Sequence, residues 1–411
     1  MALPHLLMKD GTVKIALVTL NAPFGGSTFF LLYLASGLRQ AGVACEVFSL
    51  RESQAGVAED FAAENVPIHI CNDRRLIFED RVAFIHRRLA RFQPTVVIAN
   101  IGIESYEMLR YVPRGVLRIG MIHDRWTNPE QRISTYRDVL DHVVVVAAHL
   151  VDDVRASSPN MPCSYIPHGI PIPADVPPRA PNPASPLKLI YFGRFEEDKG
   201  SRIFPAIVNA LHQRQIPFQW TIHGSGSDEA FFRRQFAAEI ASGEITMSAP
   251  VPRQQLYNLV RQHDIYILAS AIEGGPLTLL EGMALGLVPV CGDIPCLVQE
   301  VIHPENGFRV PRTEPQAFAE AIGRLHQDRP LLERMSGAAR QTVTTHYSRE
   351  AMAGRYLKLV KSLVPTPTTA NWPEKICIRP IRALENRVLF QPVLRPVRRL
   401  VKRLGTIAGN G

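Results

Sequence analysis

The chain has 411 residues, 46% of them apolar, enough to build two or three domains each with its own core. Its formal charge is +8, yet seven of those charges fall in residues 364–411, so the rest of the chain is close to neutral. A nucleic-acid enzyme would carry a basic surface on the fold itself, and nucleic acid is therefore not expected as a partner. No apolar run is long enough to cross a bilayer, and Met1 to Asp10 lacks the basic flank and apolar core of a secretory signal. The six Cys are scattered without a Cys-x-x-Cys pair. They read as reduced, mostly buried thiols of a cytoplasmic protein.

In chain order, Val13 to Thr19 is a first strand, followed by the turn Pro23-Phe24-Gly25-Gly26 and a helical pattern from Phe29 to Gln40. The turn lacks the Gly-x-Gly-x-x-Gly of a nicotinamide-binding unit. Gly25 and Gly26 instead let the backbone come close to a ligand, or form no more than a tight turn. Glu46 to Leu50 and Thr95 to Ala99 are further strands of one parallel sheet wrapped by helices. Leu117 to Ile122 is another, with His123 at its C-terminal end. In open α/β sheets ligands bind outside such ends, which makes His123 a candidate site residue as well as a capping or core one. Val143 to Val146 and Tyr165 to Ile170 complete this half. Pro171 to Pro186 then holds seven Pro in sixteen residues, a stiff extended connector.

The second half opens with the strand Leu187 to Phe192 and the loop Gly193-Arg194-Phe195-Glu196-Glu197-Asp198-Lys199-Gly200. A planar fork and a mobile point charge on one loop suit a diphosphate. Trp220 to Gly226 is a strand and glycine turn whose Gly224-Ser225-Gly226 lacks a third glycine, because Glu229 occupies that place. Ile265 to Leu268 reads as a buried strand, and the turn Gly274-Gly275-Pro276 leads into a helix beginning near Leu277. Free amides at such a start, aided by the helix dipole, make an anion site. Glu273 precedes the turn and Glu281 lies about a turn inside the helix, so they suit neutral hydroxyls on either side of a phosphate, unless both are simply solvated. Ser348 to Leu363 is an amphipathic helix.

The stretch Glu273 to Glu281, with Gly286 and Val288-Pro289-Val290 behind it, resembles the Glu-x7-Glu motif of retaining glycosyltransferases of the GT-B fold, family 4 (glycosyl transferases group 1) in particular. With the Gly193 to Gly200 loop and the other blocks, the resemblance covers roughly residues 13–363. It implies an α/β chain of two Rossmann-like domains with parallel sheets facing a central cleft. The implied division is an acceptor-side domain 1–170, a Pro-rich linker 171–186, a nucleotide-sugar domain 187–346, a crossover helix 347–363 and a basic tail 364–411. It further implies that Arg194 and Lys199 neutralise the leaving nucleoside diphosphate and that Glu273 and His123 meet the donor sugar. Gly275 and the amides of Leu277, Thr278 and Leu279 would hold the diphosphate, Glu281 the ribose, Gly224 would lie near the nucleotide, and Gly25 and Gly26 would contact donor and acceptor. His168 stands where the family has the Asn of Pro-Asn-Gly.

The expected activity is transfer of a sugar from a nucleotide sugar to a glycan or lipid-linked acceptor with retention. A nucleotide-sugar epimerase of the same fold and a non-catalytic glycan-binding or regulatory protein are the alternatives. No cofactor is expected. No Asp-x-Asp occurs anywhere in the chain, so no metal is expected on the diphosphate either. In the tail, Val397, Leu400, Val401 and Leu404 share one face of a short helix, with Arg398, Arg399, Lys402 and Arg403 on the rest. Residues 393–404 would then lie on an anionic membrane surface, placing the protein on the cytoplasmic membrane face. A disordered basic tail, or a helix packed on the protein, is the alternative.

Overall fold

The computed structural model describes residues 13–23, 25–51, 56–125, 128–176, 185–363, 371–373, 376 and 378. The chain forms two compact units, one made of the chain up to Pro167 and from Arg349 onward, the other of His168–Ser348.

The first unit runs β1 (Lys14–Thr19), α1 (Gly26–Gln40), β2 (Ala44–Ser49), α2 (Val57–Ala63), β3 (Ile68–Ile70), α3 (Phe78–Phe92), β4 (Val96–Ala99), α4 (Ile103–Glu107), β5 (Leu117–Ile122), α5 (Pro129–Tyr136), β6 (His142–Val145), α6 (His149–Ser157) and β7 (Cys163–Tyr165). Its seven strands lie in the order β3-β2-β1-β4-β5-β6-β7, and every neighbouring pair is parallel. β4 is buried along its whole length, as a strand covered by helices on both faces must be, and its continuous Val-Val-Ile-Ala run follows from that.

Two expectations shift. Helix α1 begins at Gly26, earlier than Phe29, because the Gly25 carbonyl already accepts from the Thr28 and Phe29 amides at 3.1 Å each. The strand expected over 165–170 ends at Tyr165, and Ile170 makes only an isolated bridge to Ser348. Pro167 lacks the amide that would continue the ladder. Both edge strands, β3 and β7, are only three residues long.

The second unit runs β8 (Leu187–Arg194), α7 (Phe204–Gln213), β9 (Phe218–Ser225), α8 (Glu229–Gln235), α9 (Ala237–Ser242), β10 (Ile245–Ser248), α10 (Arg253–Val260), β11 (Ile265–Leu268), α11 (Leu277–Ala284), β12 (Val288–Gly292), β13 (Phe308–Val310), α12 (Pro315–Gln327) and α13 (Arg329–His346). Its six parallel strands lie in the order β10-β9-β8-β11-β12-β13. One face of the sheet is sealed by an aromatic cluster in which Phe204 packs on Trp220 at 5.0 Å and on Phe232 at 5.6 Å. The start of the Pro-rich connector is held within this unit, where Ile170 N–H donates to the Tyr347 carbonyl and Arg340 Nη2 to that of Pro173, both at 2.9 Å.

The chain then returns to the first unit as α14 (Arg349–Leu363), which packs on α1. The approach is close because position 37 is glycine. A Cβ there would lie 2.9 Å from Arg349 Cγ and 3.0 Å from Ala353 Cβ. Arg349 Nη1 donates to Glu64 Oε2 at 2.8 Å and to Ser36 Oγ at 3.1 Å, pinning the helix start. Arg349→Ala is expected to lower the stability of the first unit by about 1 kcal/mol, the worth of a partly buried charged hydrogen bond. A chemical-denaturation curve measures this, and an unchanged midpoint would contradict it. Beyond α14, Trp372 is buried beside His86, ring centroids 5.7 Å apart. The basic stretch 393–404 lies outside the described residues. Among the described residues no helix is long and apolar enough to cross a membrane.

Candidate functional site

In both sheets the strand order reverses direction once, between β1 and β4 in the first unit and between β8 and β11 in the second. The crevice outside the C-terminal ends of the strands at such a switch point is where open α/β sheets bind ligands. The second unit places its candidate residues there. Arg194 ends β8 and the loop after it carries Phe195 to Gly200, while the loop after β11 carries Ser270 to Pro276. Gly200, at φ 80°, lets the first loop lie on the second, since a Cβ on it would sit 2.2 Å from the Ala269 carbonyl oxygen. Ala271 N–H donates to the Asp198 carbonyl at 2.8 Å, which ties the two loops backbone to backbone.

That contact brings Lys199 and Glu273 together across 74 residues of sequence. Lys199 Nζ lies 2.8 Å from Glu273 Oε1, and both side chains are more than four-fifths buried. Arg194 is different. It is 62% exposed and reaches Asp198 only at 3.5 Å, so its guanidinium stays near the loop yet can swing.

Helix α11 starts at Leu277 with Pro276 as N-cap rather than as the first helical residue. No side chain caps it and no acidic residue sits in its first turn, so the positive end of its dipole is not neutralised locally. The amide of Leu279 is already committed to the Pro276 carbonyl at 3.1 Å. Those of Leu277 and Thr278 precede the first intrahelical bond and are the better placed donors. The Thr278 hydroxyl lies 2.8 Å from the Tyr266 phenol.

The turn before the helix is fixed from behind by His168, whose Nδ1–H donates to the Gly275 carbonyl at 2.8 Å. Burial pulls the His168 pKa down to about 4, against a smaller upward pull from that hydrogen bond, so the ring is neutral at physiological pH. Gly224 closes the end of β9 against β8, since a Cβ on it would lie 1.9 Å from the Gly193 carbonyl oxygen. Here glycine is required by packing, whatever the ligand. Glu281 sits deeper, 3% exposed, and pairs with Arg253 at the start of α10 through a contact from Arg253 Nη2 to Glu281 Oε1.

In the first unit, Gly25 and Gly26 stand at the start of α1, and a Cβ on either would meet nothing within 4 Å. Internal packing therefore does not require these glycines. His123 follows β5, buried, with Nε2–H donating to Asn100 Oδ1 at 2.6 Å and its ring edge-on to Phe30 at 5.1 Å. Asn100, at the end of β4, in turn reaches the Thr19 hydroxyl at 3.5 Å at the end of β1.

Asn100, Asp198, Arg253 and the tether made by His168 were not singled out as functional in the sequence. Only Arg253 carried a local signal, a cation at the positive end of a helix, which needs a reason from elsewhere.

Two doubly wound parallel-sheet units of this kind define the GT-B fold, and solved structures agree. The chain superposes on a glycosyltransferase from Rickettsia africae with a TM-score of 0.69 at 17% identity, over 86% of this chain and 99% of that one. Anabaena Alr3699/HepE, crystallised with UDP, gives 0.69 at 14% identity over 85% and 100% of the two chains.

More particularly, residues 176–342 match the family model of glycosyl transferases group 1, so this part of the second unit is similar to that family. Among curated proteins it is 28% identical over 187 residues to the GDP-mannose:cellobiosyl-diphosphopolyprenol alpha-mannosyltransferase of Xanthomonas campestris, 44% of this chain and 48% of that protein. It is 26% identical over 188 residues to the amylovoran biosynthesis glycosyltransferase AmsK of Erwinia amylovora, 43% and 45% of the two. The chain thus spans about half the length of the curated relatives it matches.

Proposed function

We propose that the protein is a retaining, metal-independent glycosyltransferase that moves a sugar from a nucleoside diphosphate sugar to an acceptor hydroxyl in polysaccharide or glycolipid synthesis. The observation that carries this reading is the pairing of Lys199 with Glu273 beside the uncapped start of α11, at the switch point of the second sheet. A cation, the backbone amides of Leu277 and Thr278 and a helix dipole converge where a diphosphate would sit, and a carboxylate stands beside them to accept from sugar hydroxyls.

In this scheme Lys199 and Arg194 stabilise the charge that develops on the leaving diphosphate, Glu273 orients the sugar, and Glu281 receives the ribose. With no nucleophile assigned on the reactive face of the sugar, the leaving phosphate oxygen takes the acceptor's proton in a front-side displacement. Catalysis is then leaving-group stabilisation and positioning. His123, held by Asn100, is a further candidate for the sugar. The relatives' printed names support a lipid-linked glycan as acceptor. The basic amphipathic pattern of residues 393–404 suits a protein that meets such an acceptor at an anionic membrane surface.

Mass and NMR analysis after incubation with a panel of nucleotide sugars, with and without a diphosphopolyprenol-linked glycan, tests the reading. The expected product is the acceptor heavier by one sugar, with the donor's anomeric configuration kept. A chelator is expected to leave the rate within about twofold, too small a change for loss of a charge-stabilising ion. Epimerised donor formed without acceptor would make the protein an epimerase instead, and donor binding without turnover a binding protein.

A further inference from the structure

We propose that Arg253 is a positioning residue for nucleotide binding, fixing the Glu281 carboxylate so that it meets a vicinal diol; this rests on the reading of Glu281 as the ribose ligand. The starting point is a placement that local helix physics disfavours. Arg253 is the first residue of α10, where the helix dipole is positive and a cation is unfavourable. Its N-cap is Pro252, which offers no side-chain cap. The side chain is three-quarters buried and directs Nη2 to Glu281 Oε1, while its guanidinium lies 5.7 Å from the centre of the Tyr257 ring, one turn along α10.

Glu281 explains the placement. Its side chain is 3% exposed inside α11, and a carboxylate so buried is tolerated only with a cation and good hydrogen bonds beside it. Arg253 supplies that charge from a different helix, across 28 residues of sequence. Arginine suits the task better than lysine because its planar fork fixes the plane of the carboxylate as well as its charge. An ionised carboxylate offers roughly four acceptor positions, more than one guanidinium N–H uses. Two hydroxyls on adjacent carbons can then donate to a carboxylate whose orientation is already set, without the cost of ordering it on binding. The guanidinium itself need not touch the nucleotide. Its effect passes through Glu281, so it should act on the ribose hydroxyls and leave the diphosphate contacts alone.

The test compares the affinities of UDP and GDP with those of their 2′,3′-dideoxy counterparts, on the full chain, in wild type, Arg253→Met, Arg253→Lys, Glu281→Gln and the double variant Arg253→Met with Glu281→Gln. Whichever base the wild type binds should show a preference for the ribose form of about tenfold or more, the size of a lost hydrogen bond to a charged group. In Arg253→Met this preference is expected to fall below about threefold, while affinity for the dideoxy form changes by less than about threefold. Arg253→Lys should retain an intermediate preference, since its point charge reaches the carboxylate without fixing its plane. In turnover, Arg253→Met should raise KM for the donor about tenfold with kcat nearly unchanged, as expected for binding lost equally from ground and transition states. The double variant buries no unpaired charge and serves where the single one folds poorly. Its preference should match that of Glu281→Gln alone.

A full preference retained in Arg253→Met while Glu281→Gln abolishes it would overturn the role of Arg253 and leave that of Glu281 intact. A full preference retained in Glu281→Gln would overturn the ribose reading, and the proposal with it.

Discussion

Lys199→Met is expected to lower kcat by about two orders of magnitude, the scale of losing one preorganised donor to a developing oxyanion. Arg194→Ala should have an effect of similar order, although the two residues arrive there differently. Lys199 is already ordered by Glu273 at 2.8 Å, so its charge requires little reorganisation when the diphosphate begins to leave. Arg194 is 62% exposed and must be gathered in by the substrate, so part of its loss should appear in KM. Lys199 has two candidate roles, stabilising the leaving group and holding Glu273, and a double-mutant cycle separates them. If Lys199 acts on the leaving group, Lys199→Met and Glu273→Gln multiply. If it only holds Glu273, the double variant is no slower than the worse single one. Wild-type turnover in Lys199→Met, beside an unchanged melting curve, would remove Lys199 from the site altogether.

The parts of this site that could be read from sequence are those whose chemistry is local. The Gly274-Gly275-Pro276 turn and the helix start at Leu277 follow from residue types that permit little else, and the structure has the helix beginning at that residue. The Gly193 to Gly200 loop was legible as a pair of charges at a strand end, but its contact with Glu273 depends on β8 lying beside β11, a property of sheet order. The pair of Arg253 with Glu281 was out of reach for the same reason, because neither residue's neighbours indicate which helices will be adjacent. His168 was legible only as a departure from Asn, whereas its hydrogen bond to Gly275 spans 107 residues. Core strands such as β4, buried on both faces, announce themselves as apolar runs. The three-residue strand β3 is half-buried along its length, and its Ile-His-Ile alternation is too short to mark a strand.

The stability of the second unit should depend on pH in opposite ways through two buried residues, and removing either one should expose the other. His168 has its pKa pulled by burial to about 4 in the folded unit, against about 6.5 when unfolded. The unfolded chain therefore binds the extra proton between these values, and the stabilisation present above pH 6.5 is lost as pH falls towards 4. The full difference is about 3 kcal/mol. Glu300 is the reverse. Its carboxyl is 4% exposed and burial pushes its pKa up to about 7, so it stays protonated in the folded unit while the unfolded chain ionises near 4.5. Its contribution is present below pH 4.5 and lost as pH rises through 7, by a similar amount.

Across the shared window, from pH 4.5 to 6.5, the two slopes oppose each other. His223, also buried with its pKa lowered, adds to the slope of His168, so the wild-type unit should lose stability gently on acidification. Glu300→Gln should steepen that loss. His168→Asn, which keeps a donor for the Gly275 carbonyl, should flatten or invert it. Hydrogen-exchange protection of peptides covering residues 204–222 and 265–290, measured at pH 7 and pH 5, reports the second unit separately from the first. Equal acid sensitivity in wild type and His168→Asn would show that the tether behind the Gly-Gly-Pro turn titrates no differently from an exposed histidine, and that the ring is solvated in the folded protein.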